Sequence, residues 1–297
     1  MELLYWFESI RNPFLNTFFS AVTWLGHELI PIALICIMYW CINKNMAYRT
    51  GFSFFISGIT TQALKITFRI DRPWVIDKNF TIVGDAKNAA TSYSFPSGHT
   101  QSASSTYSSL ALCTKKLWLR IIFVTAFVLV AISRMYLGVH TFKDVIAAMV
   151  LSLLVTLIVF RVMEKLENNK KYDIYVSSAI FVISSGLIVY SAILSSKGII
   201  SADSLEDCVK AAGAGIGFAI GYYIERRFID FSVKAKNIGM QIIKVAVGLC
   251  IALMLKEGLK LIIGSSALAD GIRYFILVIF IINVYPLIIK AISGKKD

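Results

Sequence analysis

The sequence predicts an all-α integral membrane protein built as a bundle of several spanning helices. Hydrophobic residues make up 57% of the 297 residues and charged residues only 16%, whereas soluble domains have about 45–50% and about 25%. The mean hydropathy of +0.70 reflects long apolar runs. Runs of about 20 apolar residues fit membrane helices, whose backbone hydrogen bonds are satisfied within the segment. This composition excludes a disordered chain, a coiled coil and an ordinary soluble enzyme.

The chain divides into an N-terminal amphipathic segment and about nine spans. Residues 3–25 mix charged and aromatic side chains and are interrupted at Pro13, which predicts an interfacial or partly inserted helix. The spans are predicted at residues 26–43, 47–69, 97–114, 117–136, 141–162, 173–195, 208–225, 239–263 and 272–290. The third is rich in serine from Ser97 to Ser109, which suits a helix packed inside a bundle.

The charge pattern predicts the orientation of these spans. The formal net charge is +12, and a basic balance can indicate nucleic-acid binding. With nine spans, however, the basic loops all fall on one side of the membrane, the opposite loops are poorer in basic residues, and Lys256 and Lys260 depart mildly from this pattern. The residues on the basic side are Lys44, Arg49, Lys115, Lys116, Arg120, Arg161, Lys165, Lys170, Lys171, Arg226, Arg227, Lys234, Lys236, Lys290, Lys295 and Lys296. The positive-inside rule places that side in the cytoplasm and loop 70–96 outside, so no nucleic-acid partner is expected.

A set of polar residues at the outer ends of spans two to five is not explained by topology. Lys65 lies within a span, and an ionisable residue there indicates a functional site. Ser97 and Gly98 open the third span, where free N–H groups and the helix dipole attract an anion. Arg72 and Arg134 lie at the same level, and their planar donor forks suit a phosphoryl group.

The histidines and an aspartate supply groups for acid–base and nucleophilic chemistry. His140 and Asp144 are four residues apart, so we expect them to share a helix face. An aspartate in that position holds one imidazole nitrogen and orients the other for attack. A second imidazole, His99, is placed to protonate a leaving oxygen. His27 matches neither role and is interpreted as structural or as lining the site entrance.

Three motifs in this set resemble those of the type 2 phosphatidic acid phosphatase (PAP2) superfamily, in its membrane lipid phosphatase branch. Lys65 and Arg72-Pro73 match K-x6-RP, residues 96–99 match PSGH, and Ser133-Arg134, His140 and Asp144 match SR-x5-H-x3-D. The resemblance covers roughly residues 1–165 and implies a PAP2-like catalytic membrane core there. Residues 166–297 then form an additional four-helix membrane region without an assigned role, in which Gly213, Gly217 and Gly221 predict close helix packing.

The resemblance implies a role for each site residue. His140 is the nucleophile that forms a phosphohistidine, Asp144 orients it, and His99 is the acid and then the base. The residues implied to bind the phosphoryl oxygens are Lys65, Arg72, Ser97, Gly98 and Arg134. The resemblance implies no metal and no other cofactor, since cationic side chains stabilise the transition state.

These features predict a phosphatase of the cell membrane that hydrolyses a lipid phosphate or pyrophosphate at the outer leaflet. The predicted substrates are isoprenyl, glycerolipid or sphingoid phosphates, and the pattern does not choose among them or predict an oligomeric state. A lipid phosphotransferase that uses the same phosphohistidine is an alternative. A channel or transporter fits less well, because the catalytic set lies at one face rather than deep within the spans.

Overall fold

The computed structural model describes residues 1–87, 90–235 and 237–293, and all regular structure in these ranges is helical. The first helices are α1 Glu2–Ser9, α2 Pro13–Thr23, α3 Leu29–Ile37, α4 Lys44–Phe68, α5 Pro73–Ile76, α6 Gly98–Cys113, α7 Leu117–Tyr136 and α8 Phe142–Leu166. They are followed by α9 Asp173–Ser196, α10 Ala202–Ile224, α11 Ile238–Ile263, α12 Ala267–Ile279 and α13 Tyr285–Ser293. Turns of π-helix at Met38–Ile42, Glu225–Ile229 and Phe280–Val284 extend α3, α10 and α12.

Helices occupy each of the nine predicted ranges, but the count of nine spans is not confirmed. Among the described residues, five helical segments are long and apolar enough to cross a membrane, or six if Pro13–Gly26 and Leu29–Ile42 form one broken span. The five are Leu117–Tyr136, Phe142–Leu166, Lys170–Ser196, Ile238–Ile263 and Ala267–Ile292. Helices α4, α6 and α10 are not among them. Charged residues in α4 and α10 and the serine-rich sequence of α6 lower the mean hydropathy of these helices.

The chain forms two compact units, and three helices pass from one unit to the other. Unit 1 comprises residues 1–32 and 50–159, and unit 2 comprises residues 33–49 and 160–297. The predicted division at residue 165 stays a prediction. Lys236, Lys295 and Lys296, which the charge argument counts, lie outside the described residues.

In unit 1 the N-terminal helices pack on α7, whose end carries part of the site. Asn12 caps α2 by accepting a hydrogen bond from the Leu15 amide, and Pro13 occupies the first turn, as both residue types favour. Arg11 donates through Nε and Nη2 to the Tyr136 carbonyl at 3.2 and 3.0 Å. The Tyr136 hydroxyl donates to Asn16 Oδ1 at 2.8 Å. Hydrogen bonds with Arg11 and Asn16, near the start of the chain, therefore fix the C-terminal end of α7.

In unit 2 the predicted glycine face is confirmed as the seam between α10 and α12. A Cβ on Gly213 would lie 2.2 Å from the Gly271 carbonyl oxygen, and one on Gly217 would lie 2.9 Å from that of Phe275. Only glycine permits backbones to approach this closely. The seam continues at Gly221, where an added Cβ would lie 3.0 Å from Asn283 Oδ1.

Several basic residues of unit 2 that the charge argument assigns to cytoplasmic loops are held in ion pairs. Lys44 Nζ lies 2.9 Å from Oε1 of Glu225, a fully buried carboxylate. Arg49 pairs with Glu167 at 2.7 Å, through two hydrogen bonds from its guanidinium. These residues act as structural partners within the unit, a role that their positions in the sequence did not reveal.

Candidate active site

All eight predicted site residues lie in unit 1, on four helices and the loops between them. Lys65 is on α4, Arg72 precedes α5, Ser97, Gly98 and His99 begin α6, Arg134 is on α7, and His140 and Asp144 flank the start of α8. Six are buried, namely Lys65, Arg72, Ser97, Arg134, His140 and Asp144. Gly98 and His99 are partly exposed. Direct contacts join members of the set. Arg72 Nη1 lies 2.9 Å from His140 Nε2, and the Ser97 amide donates to the Asp144 carbonyl at 3.1 Å.

The N-terminus of α6 has the features of an anion site. Ser97 is the N-cap, and its Oγ accepts hydrogen bonds from the Thr100 amide at 3.4 Å and the Thr100 hydroxyl at 3.0 Å. Since Ser97 accepts both bonds, its own hydroxyl proton is available to donate. Apart from its chain neighbours and the backbone of its own helix, no described atom lies within 4 Å of a Cβ built on Gly98. The space beside Gly98 is therefore open, and free N–H groups and the helix dipole favour an anion there.

The contacts of His140 define its tautomer. Arg72 Nη1 lies 2.9 Å from His140 Nε2. A guanidinium only donates hydrogen bonds, so Nε2 is the acceptor and carries no proton. The proton of the neutral imidazole is then on Nδ1, which faces Ser94 Oγ at 3.5 Å. An imidazole in this state has its Nε2 lone pair available once a ligand displaces Arg72.

Asp144 is fixed by a capping box at the start of α8. Its Oδ2 accepts from the Thr141 amide at 2.6 Å, and the Asp144 amide donates to Thr141 Oγ1 at 3.4 Å. Because α8 begins at Phe142, His140 lies before the helix. The prediction that His140 and Asp144 share a helix face is therefore wrong, and the loop before the cap brings them together.

The two side chains are close without a direct hydrogen bond. His140 Nδ1 and Asp144 Oδ2 are 3.7 Å apart, which is beyond hydrogen-bond distance. Ser94 contacts both groups from one side: its hydroxyl donates to Asp144 Oδ2 at 2.6 Å, and its Oγ lies 3.5 Å from His140 Nδ1. The predicted pairing of imidazole and carboxylate is thus indirect in this structure.

Lys65 and Arg72 each donate hydrogen bonds to main-chain carbonyls. Lys65 Nζ donates to the Tyr93 carbonyl at 3.1 Å. Arg72 donates through Nε to the Ser92 carbonyl at 2.8 Å, and through Nη1 to the Val139 carbonyl at 3.1 Å. These acceptors help to fix the direction of the two cationic side chains.

Arg134 has an unused donor inside the site. Its Nη1 donates to Thr23 Oγ1 at 2.8 Å, and its side chain is buried. Its Nε has no hydrogen-bond partner among the described residues. A buried guanidinium N–H without an acceptor is costly, and a phosphoryl oxygen is an acceptor that would satisfy it.

His99 is packed against the segment that follows α2. The His27 and His99 ring centroids are 6.0 Å apart, in an edge-on arrangement. A Cβ on Gly26 would lie 2.7 Å from the His99 carbonyl oxygen, so only glycine allows this approach. His27 therefore lies beside the predicted acid, in agreement with its interpretation as a structural or entrance residue.

The surroundings of His140 favour the neutral imidazole. Burial lowers the pKa of His140 well below its usual range, and the nearby Arg72, Arg134 and Lys65 cations lower this pKa further. A backbone hydrogen bond with Ser94 opposes these effects. A neutral imidazole is the nucleophilic form, so His140 is in the reactive protonation state at neutral pH.

Sequence reasoning missed three residues that support the site: Ser94, Thr23 and Gly26. Ser94 lies in an irregular loop, only two residues before the PSGH motif. Thr23 belongs to the segment interpreted as interfacial and Gly26 begins the first predicted span, and no periodicity marks a contact of either residue with the site. Proximity to a motif was the only available signal, and it applied to Ser94 alone.

The residues described by the structure contain no group of three His, Cys, Asp or Glu side chains placed to hold a metal ion. The charges near Nε2 of His140 are instead those of lysine and arginine. This arrangement can bind and stabilise a phosphoryl group through cationic side chains, helix N–H groups and a neutral imidazole.

Comparison with known proteins assigns the chain to a family. Residues 47–168 match the model of the PAP2 superfamily, and residues 209–296 match that of the PAP2 superfamily phosphatase transmembrane extension. The chain is 30% identical over 175 residues to phosphatidylglycerophosphatase B of Bacillus subtilis, covering 54% of this chain and 82% of that protein.

Two solved structures are also similar. A PAP2-type phosphatidylglycerolphosphate phosphatase from Bacillus subtilis is 28% identical, with a TM-score of 0.47 over 56% of this chain and 84% of that chain. LpxE from Aquifex aeolicus is 22% identical, with a TM-score of 0.48 over 54% of this chain and 93% of that chain. On the family model and the relative that is 30% identical, this chain belongs to the PAP2 superfamily.

Proposed function

We propose that this protein hydrolyses a lipid phosphate or pyrophosphate through a phosphohistidine intermediate. The observation that carries the proposal is the neutral His140, whose Nε2 accepts from Arg72 at 2.9 Å beside the open N-terminus of α6. A phosphoryl group bound there would face a nucleophile on one side and helix N–H groups on another. The unpaired Nε of Arg134 supplies a further donor.

The first chemical step forms a bond between His140 Nε2 and phosphorus and breaks the bond from phosphorus to the leaving oxygen. His99 gives its proton to that oxygen, as general acid catalysis requires for a poor leaving group. The imidazole keeps its Nδ1 proton and becomes cationic, and Asp144 stabilises this charge and holds the ring orientation. Lys65, Arg72 and Arg134, with Ser97 and the Gly98 amide, bind the phosphoryl oxygens.

The second step transfers the phosphoryl group to water. His99, now neutral, takes a proton from the attacking water, the new oxygen–phosphorus bond forms, and the nitrogen–phosphorus bond breaks. Inorganic phosphate leaves, and both histidines return to their starting states. No metal takes part in this scheme, because cationic side chains meet the charge that develops on the phosphoryl group.

The surroundings of the site and the relatives support the proposed substrate class. At least five helical segments among the described residues are long and apolar enough to cross a membrane. A lipid headgroup can therefore reach the site while the acyl or isoprenyl chains of the lipid stay in the bilayer. The relative named phosphatidylglycerophosphatase B makes phosphatidylglycerol phosphate the first substrate to test. The charge distribution supports a site on the extracytoplasmic side of the cell membrane.

The test is phosphate release by purified full-length protein from a panel of lipid phosphates and pyrophosphates in the presence of EDTA. We expect turnover of at least one lipid, with His140→Ala inactive on the same panel. Products formed in isotopically labelled water separate hydrolysis from transfer to another acceptor. Activity that EDTA abolishes and magnesium restores would refute the metal-free mechanism, and no turnover of any lipid would refute the proposed function.

A further inference from the structure

Ser94 contacts both of the residues proposed to form and stabilise the covalent intermediate. Its Oγ is 2.6 Å from Asp144 Oδ2 and 3.5 Å from His140 Nδ1, while the imidazole and the carboxylate are 3.7 Å apart. We infer that Ser94 is a positioning residue that connects His140 to Asp144. The catalytic meaning of this inference rests on the proposed function, but the hydrogen bonds do not.

The direction of each hydrogen bond follows from the donors present. Arg72 donates to Nε2, so the His140 proton is on Nδ1 and points toward Ser94. A carboxylate only accepts, so the Ser94 hydroxyl proton points to Asp144. The Ser94 oxygen then presents a lone pair to Nδ1. The series runs from guanidinium to imidazole to hydroxyl to carboxylate, and every donor has an acceptor.

The backbone around Ser94 fixes its position. The Ser94 amide donates to the Ile70 carbonyl at 2.8 Å, and its side chain is fully buried. The two preceding residues hold two of the site cations, because the Ser92 carbonyl accepts from Arg72 and the Tyr93 carbonyl accepts from Lys65. Three consecutive residues thus each hold one part of the site, and Ser94 is the one that acts through its side chain.

The Ser94 hydroxyl stabilises charge during the transfer step. When Nε2 bonds to phosphorus and the leaving oxygen takes its proton from His99, the His140 ring becomes cationic and keeps its Nδ1 proton. The hydroxyl accepts from that N–H and donates to Asp144, so its dipole stabilises the cation and fixes the orientation of the carboxylate 3.7 Å from the ring. Ser94 itself gains and loses no proton. Without this oxygen, the ring N–H and the carboxylate each lose the contact that fixes their relative position.

A double-mutant cycle tests the inference by its rate effects. We expect Ser94→Ala to lower kcat by about 10- to 100-fold, the usual scale for a hydrogen bond to a charged group, with KM unchanged because the phosphoryl ligands remain. In an Asp144→Ala background the same change has no further effect, because Ser94 acts through that carboxylate. Ser104→Ala is the matched control, since Ser104 is a fully buried serine whose Oγ has no hydrogen-bond partner among the described residues.

A spectroscopic measurement tests the hydrogen bonds without substrate. The chain has 3 histidines, so histidine-selective nitrogen labelling gives few imidazole signals, and single substitutions assign them. The charged and titratable groups that act on His140 are Lys65 on α4, Arg72 before α5, His99 on α6, Arg134 on α7 and Asp144 on α8. We expect the His140 Nδ1 proton resonance to move upfield and exchange faster in Ser94→Ala, and to stay unchanged in Ser104→Ala.

The outcomes separate this inference from the proposed function. Equal rate losses from Ser94→Ala with and without Asp144, or an unchanged Nδ1 resonance, would overturn the positioning role. If the resonance changes as expected but no lipid phosphate is hydrolysed by the unmodified protein, the hydrogen-bonded series stands and the proposed function fails. Thermal unfolding of each variant identifies any loss of rate that comes from a loss of folded protein.

Discussion

Replacing His99 and His140 in turn separates the two roles proposed for the histidines. His140→Ala removes the nitrogen that lies 2.9 Å from Arg72 Nη1, so no phosphoenzyme can form. The cations and the α6 N-terminus remain, which leaves binding intact. Loss of a covalent nucleophile costs about 10⁴-fold or more in kcat in enzymes of comparable design, and we expect a loss on that scale for every substrate.

His99→Ala removes a proton donor and leaves the nucleophile in place. General acid catalysis contributes about 10²–10⁴-fold, and its contribution depends on how poor the leaving group is. We therefore expect a loss of that size on a lipid phosphate, whose leaving oxygen becomes an alkoxide. With p-nitrophenyl phosphate, which leaves with little help, the loss should stay within about 10-fold, since Brønsted behaviour reduces the benefit of an acid.

The assay combines steady-state rates on both substrates with trapping of the phosphoenzyme by acid quench. His27→Gln is the matched control, because its ring centroid lies 6.0 Å from that of His99 and it belongs to none of the three motifs. We expect this control to form phosphoenzyme and to lose little activity on either substrate. A phosphoenzyme trapped in His140→Ala, or equal losses on both leaving groups in His99→Ala, would refute the assignment.

Three further predictions address stability, packing and topology. The pKa of His140 is lowered by burial and by neighbouring cations, so the stability it contributes is present above about pH 6.5 and is lost as pH falls below this value. The unfolding temperature should therefore fall less between pH 7.5 and pH 5 in His140→Gln than in the unmodified protein. Equal falls would contradict this reasoning. Gly213→Ala places a Cβ 2.2 Å from a carbonyl oxygen of α12 and should destabilise the folded protein by about 1–3 kcal/mol. At Gly186 an added Cβ meets no atom of another element within 4 Å, so Gly186→Ala should stabilise the folded protein by up to about 1 kcal/mol. Unfolding midpoints that shift in the same direction in both variants would refute the packing argument. A cysteine at exposed Asn79 should react with an impermeant thiol reagent in intact cells, while one at exposed Asn168 should react only after lysis; the reverse pattern would invert the orientation.

The helices were predictable because apolar runs of membrane length identify them without tertiary information. Span positions such as 117–136 coincide with a helix in the structure, and the glycines of residues 213–221 predicted the seam in unit 2. The number of spans was harder to predict. Helix α6 has 16 residues and carries a buried serine-rich sequence, so neither its length nor its hydropathy shows how it lies in a membrane.

The three motifs named residues that the structure brings together in unit 1, but the connections among these residues were not predictable. Motif spacing shows which side chains take part, whereas the contact of His140 with Asp144 depends on a loop and a helix cap. Ser94 was missed because a serine in an irregular loop has no periodic pattern. Glu225 was missed for a different reason: its burial depends on the packing of Tyr48 and Lys44 around it, which no local sequence feature records.

Carboxylate and carbonyl acceptors have different effects on the cations that they contact. In unit 2, Lys44 and Arg49 pair with carboxylates at 2.9 and 2.7 Å, so their charge is largely neutralised within the protein. In unit 1, Lys65 and Arg72 donate to main-chain carbonyls at 3.1 and 2.8 Å. Carbonyl dipoles fix the direction of a cation but leave its positive charge to act on a ligand.

Asp144, the carboxylate of the site, also accepts hydrogen bonds from neutral groups. Asp144 accepts from the Thr141 amide and from the Ser94 hydroxyl, both at 2.6 Å, and these neutral donors leave its negative charge available to the His140 ring. A site that paired Asp144 with Arg72 would lose both the charge that binds the phosphoryl group and the charge that stabilises a cationic imidazole. In the proposed function, a phosphoryl group enters between Arg72 and His140, where the cations bind it and Asp144 stabilises the imidazole that attacks it.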